Sequence, residues 1–237
     1  MKKAFKFWTV CGVAALAAAT ITVGTIRAAE PLPTDKPPSR IKPPEPRQDS
    51  KTSVESALRQ RRSVRAFSQE PLTLGEASQL LWAAQGITDP TGKRTAPSAG
   101  ALYPLEVFLV AGNVGGLPAG VYRYLPQGHE LARVAAGDMR AKLASAALRQ
   151  SWLEEAPATI VIAGVYERTA KKYGPRAERY VHIEVGLAAE NVQLQTVALN
   201  LGSVVVGAFD DAKVKQALAL ADNEQPLCLM PVGKPRR

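Results

Sequence analysis

The chain has 237 residues, 46% of them hydrophobic and 22% charged, with 30 lysines and arginines against 21 acids for a formal net charge of +9. Lys2, Lys3, Lys6 and Arg27 lie in the first 29 residues without an acid, leaving 26 basic and 21 acidic residues elsewhere, or +5. With no lysine run and no basic–aromatic interleaving, that modest excess argues against nucleic acid as a partner and suits an anionic ligand.

Residues 1–29 run from a basic start through an apolar stretch, Phe7 to about Val23, to the small residues Ala28 and Ala29. This order fits a secretory signal peptide; the run is also long enough to remain as a membrane anchor. Lys2-Lys3-Ala4-Phe5-Lys6 has lysines where a twin-arginine export signal has arginines. The protein is therefore expected to be exported, periplasmic or tethered to the inner membrane facing the periplasm. Residues 30–52 hold seven prolines between Pro31 and Pro46. Proline fixes φ and removes a backbone donor, so this stretch is expected to be a linker without helix or sheet, reaching up to about 70 Å at roughly 3.1 Å per residue. Residues 53–237 remain for one folded domain. Cys11 falls in the leader. Cys228, inside the apolar run Pro226 to Met230, reads as a buried, inert thiol with no disulfide partner in the mature domain.

Within the domain, Ser53 to Arg62 reads as a first helix. Thr73 to Gln85 reads as a second, with Thr73 as cap, Glu76 completing a capping box, and Leu74, Ala77, Leu80, Leu81 and Ala84 on one face. A loop from Thr88 to Pro104 precedes strands at Leu105–Ala111, Gly120–Leu125 and about Glu130–Ala135. Asp138 to Gln150 is expected to be helical and Ala158 to Val165 a buried strand. Glu178 to Leu201 is the longest helix. Val181, Val185, Ala188, Val192 and Leu199 lie on one face, but Ile183, Leu187, Leu194 and Val197 are apolar elsewhere, as in a helix covered on all sides by its own core or by a second subunit. A strand at Ser203–Ala208, a helix at Asp210–Ala221 and a strand at Leu227–Val232 complete an α+β pattern.

Four short segments carry candidate chemistry. Arg61, Arg62 and Arg65 place three guanidinium groups within five residues around Ser63, a donor set that matches phosphate oxygens or, alternatively, a solvated helix end. Lys234, Arg236 and Arg237 form a second basic cluster after the last strand, which can aim it at the first; a basic, disordered chain end is the alternative. Pro97-Ser98-Ala99-Gly100-Ala101 is a small-residue loop whose backbone can approach a flat ring without side-chain clash. Val205-Val206-Gly207 is a strand end whose amides could face a ring nitrogen. Lys172-Tyr173, in a polar segment before the long helix, is a potential proton donor–acceptor pair. His129 and His182 have no cysteine or carboxylate at metal spacing, so both read as structural or surface residues and no metal is expected.

Taken in order, these segments resemble the nitroreductase superfamily of FMN enzymes, over roughly residues 53–237. Arg61-Arg62-Ser63-Val64-Arg65 followed by Phe67 is similar to that superfamily's phosphate motif. Pro97 to Pro104, Gly120-Val121-Tyr122-Arg123-Tyr124 and Lys172-Tyr173-Gly174 with Arg176 and Arg179-Tyr180 are similar to its SagB-type branch, which includes the azoline dehydrogenases of thiazole and oxazole peptide maturation. The resemblance implies a central, mostly antiparallel sheet flanked by helices, in an intertwined homodimer with FMN between subunits. It implies that Arg61, Arg62, Ser63 and Arg65, with Lys234 or Arg236, hold the phosphate and ribityl chain. Pro97, Ser98, Ala99, Gly100, Ala101 and Leu102 would line the ring from the other subunit. The Val206–Gly207 backbone would face N5, and Lys172 and Tyr173 would transfer protons. The expected activity is hydride transfer through FMN to or from a small-molecule or peptide-derived substrate. Two alternatives are a nitro or quinone reductase using NAD(P)H, and a flavin-binding or sensor protein without turnover. A domain that binds another anion and no flavin is a third.

Overall fold

A computed structural model of the chain describes residues 40–236. The leader and the first part of the proline-rich linker lie outside these residues. Among the described residues no helix is long and apolar enough to cross a membrane.

The elements are β1 (Arg40–Ile41), α1 (Val54–Gln60), β2 (Leu72–Thr73), α2 (Leu74–Gln85), β3 (Leu105–Ala111), β4 (Val114–Gly115), β5 (Gly120–Leu125), β6 (Glu130–Ala136), α3 (Arg140–Ala146), α4 (Trp152–Glu155), β7 (Ala158–Gly164), α5 (Tyr166–Tyr173), α6 (Ala177–Ala198), β8 (Gly202–Ser203), α7 (Asp211–Leu218) and β9 (Gln225–Gly233). Seven strands form one sheet in the order β1-β6-β5-β3-β7-β9-β8, and every pairing in it is antiparallel. β2 and β4 make a separate parallel pair. This is the expected α+β class with a mostly antiparallel sheet.

Alternation along the central strands divides the core. In β3, Leu105, Val107 and Leu109 join Leu80, Leu81, Val181 and Val192 of α2 and α6. Phe108 and Val110 face the other way, onto Leu143, Leu153, Val214 and Leu218 of α3, α4 and α7. The sheet is therefore buried on both faces between two helical layers, and its central strands are apolar at almost every position.

Several elements differ from expectation. Residues 40–52, placed in the linker, are fastened to the domain. Arg40 and Ile41 pair with Ala132 and Leu131 as an edge strand. The Ser78 hydroxyl donates to the Pro44 carbonyl at 2.6 Å. The Gln79 side chain accepts from Arg47 N–H at 2.7 Å and donates back to its carbonyl at 3.0 Å. Proline bars interior helix and sheet, yet Arg40-Ile41 lies between prolines and keeps its own donors. The helix expected over Asp138–Gln150 ends at Ala146. Leu148 and Arg149 take positive φ, and Arg149 N–H closes back on the Ala144 carbonyl, a chain reversal that caps the helix. The strand expected at Ser203–Ala208 is only Gly202–Ser203, followed by a lone Val206–Leu229 bridge. The intervening partner of Val204 in that register is Pro231, which has no N–H to offer, so the ladder breaks there.

Candidate flavin site

The chain ends and the first arginine cluster meet. Ser68 N–H donates to the Lys234 carbonyl at 2.9 Å and Arg236 N–H to the Ala66 carbonyl at 3.0 Å, so residues 66–68 and 234–236 run side by side. Beside them lies a cleft of about 840 Å³ lined by Arg62, Ser68, Glu70, Lys234 and Arg236 and, from the end of α6 onward, Thr196 and Asn200. Lys234 pairs with Glu70, whose carboxylate raises the ammonium pKa. Arg236 pairs with Glu155 at 2.9 Å. Arg62 donates only to the carbonyls of Arg59 and Arg61, at 3.0 and 2.7 Å, and has no carboxylate partner among the described residues.

The other members of the first cluster point elsewhere. Arg61 donates to the Gln193 side-chain oxygen at 3.1 Å and lies 4.0 Å from Glu190, against α6. The Arg65 guanidinium sits 5.9 Å from the centroid of the Trp152 ring. Ser63 bridges Ser203 through its backbone, and Val64 packs so closely on Gly202 that a Cβ there would lie 2.6 Å from Val64 Cγ2. The structure thus brings Arg62, Lys234 and Arg236 to one cleft and uses Arg61, Ser63 and Arg65 to fix the segment that carries Arg62.

The small-residue loop forms a second centre. Ser98 opens a short 3-10 turn, Ala99–Ala101. Gly100, Ala101 and Tyr103 all take positive φ, at 63°, 54° and 47°, a concentration of left-handed backbone typical of functional turns. Pro97, Gly100 and Ala101 are exposed, while Ser98, Ala99 and Leu102 are half-buried. The Ser98 hydroxyl oxygen accepts from Tyr103 N–H at 2.8 Å, and Ala99 N–H donates to Glu184 at 2.8 Å. The Ser98 side chain therefore serves the loop itself, which offers backbone rather than side chains to a ligand.

Lys172 and Tyr173 belong to this second centre. They lie at the end of α5, a helix that shows no apolar period because it buries only Thr169. A Cβ built on Gly100 would meet Tyr173 Oη at 2.9 Å and Lys172 Nζ at 3.0 Å. Lys172 Nζ lies 5.4 Å from its neighbour's ring centroid, and the Tyr173 ring stands edge-on to Tyr180 with centroids 5.0 Å apart. The glycine leaves room for a phenol and an ammonium directly against the turn.

At the third segment, Val206 exchanges both backbone hydrogen bonds with Leu229, at 2.8 and 3.0 Å. Its amide is committed to the sheet, and Gly207, exposed and with nothing within 4 Å of its Cβ direction, is the open position at this strand end. Cys228 is buried, and burial pushes its thiol up to about 12, so it is inert. Glu184 was missed by the sequence reading. Its signal was a carboxylate on the buried stripe of α6, between Val181 and Ala188.

The residues present suit a flavin mononucleotide. The basic cleft has a phosphate-binding donor set, and the exposed turn has a cradle that any side chain at position 100 would fill. The sequence profile described as the nitroreductase family matches residues 58–234. A Methanocaldococcus jannaschii protein provisionally named a nitroreductase is 47% identical over 181 residues, 76% of this chain and 90% of that protein. A solved structure from Ralstonia eutropha, provisionally called a nitroreductase, has a TM-score of 0.75 at 30% identity, covering 88% of this chain and 98% of that chain. A chain of the Escherichia coli microcin synthetase McbBCD complex, solved with truncated pro-MccB17 bound, has a TM-score of 0.65 at 28% identity, covering 72% of this chain and 67% of that chain. This chain belongs to the nitroreductase family and is a flavin-dependent oxidoreductase. The likeness to the microcin synthetase chain is in line with the motifs that resemble the SagB-type branch.

Proposed function

We propose that the protein binds FMN and transfers hydride between it and a small organic or peptide-derived substrate, with Lys172 and Tyr173 moving the accompanying proton. The observation that carries this reading is the placement of Tyr173 Oη and Lys172 Nζ at 2.9 and 3.0 Å from the position a Cβ would take on Gly100. A proton donor–acceptor pair is thereby held at the turn that would face the cofactor.

Bound FMN would supply the two-electron chemistry, and the protein supplies position and electrostatics. Arg62, with Lys234 and Arg236, would hold the phosphate through charge-assisted hydrogen bonds. The backbone of the exposed residues Pro97, Gly100, Ala101 and Gly207 would approach the ring. When a substrate gives up hydride from carbon, the proton lost from the neighbouring atom passes to Tyr173 or Lys172; in reduction the same pair returns it.

The site is proposed to form between two copies of the chain. Glu184, beside the turn, and Thr196, on the basic cleft, are twelve residues apart on one helix, or about 18 Å at 1.5 Å per residue. The same helix leaves Ile183 54% and Leu187 41% exposed, an apolar surface that a second subunit would cover. Export is likewise proposed, on the leader pattern of residues 1–29, and fractionation of cells carrying the full chain tests it. An exported enzyme is expected to draw on a reductant other than NAD(P)H.

The deciding experiment is an absorbance spectrum of the purified protein, with the released chromophore identified by mass. It is followed by assay of the Lys172→Ala, Tyr173→Phe double variant against nitroaromatics, quinones and thiazoline peptides. Stoichiometric FMN, retained by a variant that has lost turnover, is the expected result. Protein that stays colourless and takes up no added FMN refutes the flavin reading, and a double variant that turns over normally refutes the proton-transfer assignment.

A further inference from the structure

Glu184 has no role in the mechanism above, yet it is one of the few charged side chains buried in the protein, 4% exposed on α6. A buried carboxylate is costly unless its oxygens are satisfied. Among the described residues no lysine or arginine pairs with Glu184. What it has is the turn: Ala99 N–H donates to it at 2.8 Å; burial raises its pKa, and that hydrogen bond opposes the rise. The Ser98 oxygen in turn accepts from Tyr103 N–H at 2.8 Å. The carboxylate thus holds the entrance of the turn, and the Ser98 hydroxyl joins that entrance to its exit.

The turn needs such an anchor. Gly100, Ala101 and Tyr103 hold left-handed conformations, and two of these residues carry side chains that disfavour it. The exit is held from the other side, where Arg168 donates to the Tyr103 carbonyl at 3.1 Å and the Arg94 guanidinium sits 4.4 Å from the Tyr103 ring centroid. The entrance, Ser98–Ala99, has Glu184.

We propose that Glu184 is a positioning residue for the flavin-facing turn. Its buried carboxylate holds residues 98–103 in the strained conformation that sets them against Lys172 and Tyr173. The proposal rests on the flavin reading for its catalytic consequence, but the anchoring itself does not require a ligand. Two variants separate the contributions: Glu184→Gln keeps an oxygen for Ala99 N–H and removes the charge, and Glu184→Ala removes both.

Hydrogen exchange of the full-length, flavin-free protein reads the anchor directly. In Glu184→Ala, protection of the Ala99 amide should fall by about 10–100-fold, the loss expected for a hydrogen bond to a charged group. Glu184→Gln should restore most of it. In the FMN-loaded protein, Glu184→Ala should lower kcat about tenfold or more with KM changed less than about twofold, since the reacting groups are displaced rather than removed. Glu184→Gln should again recover kcat. Unchanged exchange at Ala99 in Glu184→Ala overturns the proposal, as does a Glu184→Gln variant as impaired as Glu184→Ala. Wild-type protein that takes up no FMN overturns the flavin reading and the catalytic half of this one, while the exchange result still decides the anchor.

Discussion

Gly100→Ala separates the energetic and the chemical roles of the turn. Gly100 has φ 63° and ψ 18°, where an L side chain costs about 1–2 kcal/mol; stiffening of the unfolded chain returns about 0.4–1 kcal/mol. The net loss is about 1 kcal/mol, or roughly 2–4 °C in Tm for a domain of this size. The new methyl would start 2.9 Å from Tyr173 Oη and 3.0 Å from Lys172 Nζ. Both atoms are ends of flexible side chains and must retreat by up to about 1 Å to reach ordinary contact. Such a displacement costs little stability, but misplacing reacting groups by that distance costs as much as about 100-fold in rate. The expected variant therefore melts a few degrees lower, keeps FMN, and loses about 10–100-fold in kcat. Gly92→Ala is the control, because Gly92 has φ 85° with nothing within 4 Å of a Cβ; it should lose similar stability and no activity. Gly100→Ala with wild-type kcat and a lowered Tm would refute the claim that Lys172 and Tyr173 must sit where this turn places them.

Arg62→Ala should weaken FMN binding by about 1.5–3 kcal/mol, the range for a hydrogen bond to a charged group. Arg61→Ala should weaken it less, because that guanidinium is engaged with Gln193; equal losses in flavin titrations would contradict the geometry. Protein begun at residue 49 should be about 2–4 kcal/mol less stable to denaturant than protein begun at residue 40, since it lacks four side-chain bonds made by Pro44 and Arg47. Stability should also fall with pH. His129 is buried with Tyr124 Oη 2.8 Å from Nδ1 and Ser78 Oγ 2.7 Å from Nε2, a set satisfied by the neutral ring with its proton on Nε2. Burial lowers its pKa below the usual histidine value. The folded state therefore takes up its proton later than the unfolded chain, whose reference pKa is about 6.5. Its contribution is complete above that pH, declines as pH drops below it, and levels off below the depressed folded pKa. Thermal melts from pH 8 to 5 on wild type and His129→Phe test this, and parallel curves would remove His129 as the cause.

The sequence revealed the elements whose burial follows a simple period. β3 and β5 fell at their observed bounds, and the Thr73–Glu76 capping box closed as expected, because local chemistry decided each. α5 escaped because a helix that buries one residue shows no apolar period. The truncated β8 escaped because its limit is set by Pro231, a residue on another strand. The site divided in the same way. Residue types identified both basic clusters and the small-residue turn, but not which arginine lines the cleft. Arg61 and Arg62 are neighbours of the same type, and only the position of α6 turns the first inward to Gln193 and leaves the second on the cleft.

α6 explains why the missing information was tertiary. Glu184 on this one helix holds the turn, Gln193 holds Arg61, and Thr196 borders the basic cleft. Each is a polar residue on a helix otherwise given to the core, and each is buried. An apolar period marks the positions that pack, so polar residues on its buried side read as flaws in the pattern. Here those positions are where the site is attached to the core. A substitution that merely shifted α6 along its axis would disturb the turn and the arginine segment together, whereas Glu184→Ala should disturb the turn and leave phosphate binding at Arg62 intact. Coupled loss of both in Glu184→Ala would mean that the helix, rather than the carboxylate, is what positions the site.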